Sequence, residues 1–338
     1  MAALSDIFFS YLPGFRARSP SPSRPTLPVE LLEHIVAEIP RESVQDLLRV
    51  RAASRTFCAI ATPGAFRSVG VTNTKRSAES LKQLLSREHL AQHVEEVVYS
   101  DRAAQTGGRV EQRYFFRQEG HGKAIQEAFA SAFTLLPSCP ALHAIHLTFL
   151  PSYPTDTECN ALSARQLSLQ VHEPRDLHFA IVGALVANSR ALAGRVTSLT
   201  MHNLLCQHNM IYAVTSFEAL LHALHKLHIH TVESPLAAAA ATSGGEFVSA
   251  FWQRTVHDIF LARAEALTDL TVCGYAHAPP SGLSFSPNTL PALRTLRLEH
   301  IDFELGQDFL RQHEGVLEEL VVDGERVELA QQNDAPQA

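Results

Sequence analysis

Leu224-His225-Lys226-Leu227-His228-Ile229-His230 carries the pattern that organises most of this 338-residue chain. Its aliphatic residues follow the order apolar, two others, apolar, one other, apolar. The last two, Leu227 and Ile229, alternate as on a β-strand and so point to one face. The first, Leu224, stands where the chain turns into that strand. The same spacing occurs as Phe66, Val69, Val71, as Val94, Val97, Tyr99, as Leu142, Ile145, Leu147, and as Val196, Leu199, Met201. It continues as Leu267, Leu270, Val272, as Leu293, Leu296, Leu298, and as Leu317, Leu320, Val322; a weaker candidate is Leu167, Leu169, Val171. One such unit cannot bury its own apolar face, so the units must stack and share a core.

Helical spacing of apolar residues appears between several of these units, over Ser77–Leu90, Lys123–Leu136, Arg175–Leu192, Phe247–Ala264 and Gln307–Gln312. Strand then helix, repeated, predicts an α/β fold with a parallel sheet. The L-x-x-L-x-L pattern resembles the core of a leucine-rich repeat. That resemblance implies a curved solenoid over residues 65–324, with parallel strands inside and helices outside. The late repeats fall within the usual length of about 20–29 residues, and insertions stretch the early ones. The Asn or Cys of that family, two residues past the last apolar position, does not recur in register, which favours an irregular solenoid. The polar, glycine-bearing stretch Asp101–Gly122 and the alanine-rich stretch Glu233–Glu246 read as long loops.

Upstream the texture changes. Residues 1–25 form a flexible segment: an apolar start, Leu4, Ile7, Phe8 and Tyr11, then a Ser-Pro linker over Ser19–Pro25. Residues 26–64 predict three short helices. The first spans Pro28–Ile39, with Pro28 suited to the first turn and Pro40 closing it. The second covers Ser43–Val50. The third covers Ser54–Ala61, stopped by Pro63 and Gly64. Leu27-Pro28-x-Glu30-Leu31-Leu32-x-x-Ile35 resembles the opening of an F-box. Asp46-Leu47-Leu48-Arg49-Val50 and Ala53-Ser54-Arg55-x-Phe57 resemble its second half. The stretch between the first two helices is longer than is usual in that family, and Phe57 stands where it often has Trp. The resemblance implies a Skp1-type adaptor protein as partner, met by Leu27, Pro28, Leu31, Leu32 and Ile35. Residues 325–338 read as a loose polar tail.

Composition narrows the function classes. The chain is 46% hydrophobic and 19% charged, which supplies a core along most of its length. A net charge of −7 disfavours nucleic acid and anionic membrane as partners of the whole surface. No stretch has the length of an uncharged membrane span. Five widely spaced cysteines without a CxxC fit a reducing compartment, cytoplasmic or nuclear. No nucleophile elbow, phosphate loop or dinucleotide fingerprint occurs, so no catalytic residue and no cofactor are expected. His89-x-x-x-His93 has metal-ligand spacing, but two surface histidines are the plainer reading.

The strand register nominates a binding face. With Leu227 and Ile229 inward, Lys226, His228 and His230 point outward, as do His146, Thr200, His202, Arg297 and Glu299 on other strands. Stacking in sequence order aligns His202, His230 and Cys273 in one row, a geometry open to a metal ion or to a polar protein-binding face; the second is expected, with no metal. The function implied is the substrate-recognition subunit of a Skp1–cullin–F-box ubiquitin ligase, holding an as yet unidentified target protein on the concave face. The alternative is a leucine-rich scaffold for protein interaction without a ligase role, in which residues 26–64 only cap the array.

Overall fold

The computed structural model describes residues 27–40, 43–101, 121–151, 172–232, 250–275, 283–285, 289–301, 303–305 and 307–327. Residues 1–25, the candidate triplet at Leu167 and nearly all of both long inserts lie outside them. The eight principal triplets each give a strand: β1 (Ser68–Thr72), β2 (Glu96–Ser100), β3 (Ala144–Thr148), β4 (Ser198–Leu205), β5 (Lys226–Val232), β6 (Asp269–Cys273), β8 (Thr295–Glu299) and β10 (Glu319–Val322). These eight pair in parallel, each beside the next in chain order. Of two short strands that pair apart from them, β7 is Leu283–Phe285 and β9 is Phe303–Leu305.

The physical cause of the sequential order is visible in the backbone. In each unit the carbonyl one residue past the first apolar position accepts two N–H bonds from the next unit. Arg67 O receives Glu95 and Glu96, Glu95 O receives His143 and Ala144, and His143 O receives Thr197 and Ser198. The series continues through Thr197, His225, Thr268 and Arg294. Side chains reinforce it at two places, where Arg67 pairs with Glu95 at 2.8 Å and Arg294 with Glu318 at 3.4 Å. The first apolar position of all eight units is buried, and so are the two strand positions except Val322, which is partly buried.

Helices form a second layer. After α1 (Val29–Ala37), α2 (Val44–Ala53) and α3 (Arg55–Phe66) come α4 (Lys75–Leu85), α5 (Glu88–Ala91), α6 (His121–Phe133), α7 (Glu173–Leu192), α8 (Thr215–Ala223), a π-helix (Phe251–Leu261) and α9 (Gln307–Gln312). The helices α4, α6, α7, α8 and the π-helix touch one another in succession. Right-handed crossovers between neighbouring parallel strands place them all on one face of the sheet. Between the layers Tyr99 of β2 meets Phe129 of α6 at 5.4 Å between ring centroids and Phe149, just past β3, at 5.8 Å; beyond β4, Tyr212 in a 3-10 turn meets Phe260 of the π-helix at 5.3 Å. No described helix is long and apolar enough to cross a membrane.

Several elements differ from expectation. The helix α3 runs past Pro63 and Gly64 to Phe66. Proline forfeits one helical hydrogen bond, while continuing the helix buries Ala65 and Phe66, and Arg51 caps the Phe66 ring at 5.2 Å. The expected Ser77–Leu90 helix divides into α4 and α5. The helix α8 lies outside the predicted helices, and of the expected Phe247–Ala264 helix the described part winds as a π-helix over Phe251–Leu261. The strand β3 pairs directly with β4. Glu325–Val327, expected to begin a loose tail, forms β11 and pairs antiparallel with β10 across Asp323-Gly324. Both turn residues have positive φ, 47° and 82°, as a tight hairpin of the primed type requires.

Candidate functional site

Two surfaces stand out. The first is the outer side of α1. Residues spaced by four share a helical face, so Leu32 and Val36 look one way and Leu31 and Ile35 another. Val36 is buried in the core and Leu32 is half-buried. Leu27, Val29, Leu31 and Ile35 are 53%, 49%, 49% and 50% exposed, and Pro28 beside them is exposed as well. Among the described residues only Met210, Val214 and Val316 are other large apolar side chains left so open. Of the five positions implied by the resemblance, Leu32 belongs to the inward side; Val29, not among them, is also exposed, but at the start of α1 and on the side of Leu32 and Val36.

The second surface is the sheet face turned away from the helices. Strand pairing puts His146, Thr200, His228, Thr271 and Arg297 in one row across β3, β4, β5, β6 and β8. Lys226 lies one step along, beside Asp269 at 3.9 Å. His230, Cys273 and Glu299 form the next row. Lys226 and Arg297 are exposed, whereas His146, His202, His228, His230 and Glu299 are half-buried. Thr200 departs from expectation. It occupies its place in the row but is buried at 9% exposure, a short side chain between two imidazole-bearing strands.

His202 is also displaced. The pairing of β4 with β5 shifts after Met201, and Asn203 takes a φ of 60°. A bulge adds a residue to one strand and re-aims its side chains. The His202 ring therefore lies 4.7 Å from that of His228 and 6.1 Å from that of His230, instead of in line with His230 and Cys273. Among the described residues no three His, Cys, Asp or Glu side chains converge as a metal site would need.

The electrostatics follow from crowding. Burial pushes His228 down to about 4, and His202, His230, Arg297 and His146 add to the shift because each opposes a new positive charge. His202 is lowered by burial, then by His230 and His146. Burial lowers His146 too, partly offset by Glu96. Burial lowers His230, with Glu299 acting the other way. The Cys273 thiol is pushed up to about 11 by burial and by Glu299, so it is a poor nucleophile. At neutral pH the histidine patch is thus uncharged and offers imidazole N–H donors.

The position two residues past a unit's last apolar residue lacks a recurring Asn, yet in two units its side chain bonds a backbone carbonyl of a neighbouring unit. Asn203 Nδ2 donates to Phe149 O at 3.0 Å, and Thr231 Oγ1 to Cys273 O at 3.3 Å. Asn73, Asp101 and Thr231 are buried polar side chains there. Reading this position for polarity, and not for Asn alone, would have found it. Compared with known proteins, the chain matches no family model and no curated sequence.

Proposed function

We propose that this protein is the substrate-recognition subunit of a Skp1–cullin–F-box ubiquitin ligase. In this reading residues 26–64 are an F-box-like unit and residues 65–324 an irregular leucine-rich solenoid. The observation that carries it is the exposed apolar pair Leu31 and Ile35 on one face of α1, with Leu27 and Val29 exposed at the start of the helix. Aliphatic side chains left half open on one helix invite a partner, and covering each is worth roughly 1 kcal/mol. Leu27, Leu31 and Ile35 are also positions at which the F-box resemblance expects a Skp1-type adaptor. The sequential strands and their repeating backbone ladder support the solenoid part of the reading. The chain itself would break no bond. It would raise the concentration of a target protein near the ligase, in the cytoplasm or nucleus.

A second reading has one observation in its favour. Val36, Leu47, Ala61, Ala65 and Phe66 belong to the same continuous core as the sheet, as a capping unit of a repeat scaffold would. Co-expression with a Skp1-type adaptor separates the two. A stoichiometric complex is expected, lost on Leu31→Asp with Ile35→Asp, both made on exposed side chains. A chain that purifies folded and leaves the adaptor behind would establish the scaffold reading.

A further inference from the structure

The open face over β3, β4 and β5 gathers four imidazole rings. Among the described residues His146, His202 and His228 have no hydrogen-bond partner, and Nδ1 of His230 is buried without one. Arg297, exposed in the same row, has no ion pair among the described residues. Of the ring nitrogens in this cluster only Nδ1 of His230 is shut away from solvent without a partner among the described residues, and buried polar atoms are ordinarily satisfied, so the face keeps bonding capacity for a ligand.

The charges around the cluster choose its kind. Those acting on His228 are His146, His202, His230 and Arg297, every one of them cationic when charged. Carboxylates stand at the margins. Glu96 acts on His146, Glu299 on His230, and Asp269 is engaged with Lys226. His143 and His300 add positive potential at the two ends. The centre therefore favours a negative group, while the marginal carboxylates and the net charge of −7 disfavour a long polyanion such as nucleic acid.

Resting on the reading of this face as a target platform, we infer that it docks an acidic peptide segment whose carboxylates are received by His146, His228 and Arg297. These three residues are two strands apart in succession, a separation of roughly 9.6 Å. An extended polyproline-type segment returns to the same face every third residue, about 9.3 Å along its axis. An acidic residue at every third position meets each of the three in turn, with His202 beside the middle one.

Proton linkage gives the proposal its signature. Burial first, then mutual opposition, keeps the imidazoles neutral; a carboxylate seated among them favours their charged form against both, so binding takes up protons. Affinity then rises as pH falls, by about tenfold per pH unit for each proton taken up.

The test uses the full chain and fluorescein-labelled (Glu-Pro-Pro)4, with (Gln-Pro-Pro)4 as the uncharged twin, followed by anisotropy at pH 8 and at pH 5.5. The lower value stays above the range in which the peptide's own carboxylates protonate, about 4.3. The Glu peptide is expected to bind at least about tenfold tighter at pH 5.5, and the Gln peptide to bind at least about tenfold more weakly than the Glu peptide. Arg297→Gln, on an exposed side chain, and His228→Asn should each weaken the Glu peptide by about fivefold or more. Equal binding of the two peptides, a flat pH profile, or indifference to Arg297→Gln would each overturn the inference. Adaptor capture by the same preparation keeps the two readings apart. A chain that captures the adaptor and ignores the Glu peptide refutes only the docking inference. One that binds the peptide and ignores the adaptor refutes only the ligase role.

Discussion

In α1, Leu31 and Ile35 stand half open, whereas in β4, less rich in apolar residues, Leu199 and Met201 are wholly buried. Each segment carries the apolar spacing of its own element, β4 as far as Met201. What separates them is neighbours. A central strand is flanked on two sides by strands of its own kind and covered by helices, while α1 packs against α3 on one side only. Apolar character in a sequence therefore says that a surface will be covered, and the fold says whether the chain covers it itself.

The largest expected effect sharpens that contrast. Leu199→Ala should destabilise the protein by about 2–5 kcal/mol, because it opens a cavity in a sealed core. Leu31→Ala should change stability by no more than about 0.5 kcal/mol and weaken only partner binding. Urea unfolding of both variants measures the difference; equal costs would abolish the distinction between the two regions.

Two glycines carry the comparison further. A Cβ on Gly274, just past β6, would sit 2.1 Å from the His300 backbone oxygen, so Gly274→Ala should cost about 1–3 kcal/mol. A Cβ on Gly64, in α3, would meet only Leu47 at an ordinary 3.5 Å. Gly64→Ala should raise stability by about 0.5–1 kcal/mol through better helix propensity. Paired thermal melts would show the two variants moving in opposite directions.

His178 tests the core by pH. Its ring lies 3.8 Å from that of Phe149, it is buried, and neither nitrogen has a partner among the described residues. Burial pushes it down to about 3. The unfolded chain binds a proton near pH 6.5 that the folded chain refuses, so stability falls as pH drops from about 6.5 towards 3. Between pH 7 and pH 5 the loss is about 1–2 kcal/mol, and His178→Phe should flatten that slope in unfolding curves measured across the range. The smallest effect is at Tyr212, whose buried hydroxyl has no partner among the described residues. Tyr212→Phe should leave stability unchanged or raise it by under about 1 kcal/mol in the same urea titration, since it removes an uncompensated polar group.

Much of this was legible in the chain itself. The eight triplets located eight strands because period-two burial on a shared core leaves a repeating mark. Asp323-Gly324 is a hairpin-turn sequence, yet the residues after it are mostly polar and read as a tail. The helix α8 was hidden because its nine residues run directly into the next triplet. The open face was legible by composition only. Its histidines could be assigned outward, but the bulge at Asn203 and the burial of Thr200 arise from how adjacent strands fit.

The sequence by itself determined which side chains seek the core and where the strands fall, because each choice depends on periodicity within a few neighbouring residues. Only the tertiary structure decided that Leu31 and Ile35 remain open and that His202 leans towards His228. Those outcomes depend on packing between segments far apart in the chain, where a one-residue shift of register re-aims a side chain.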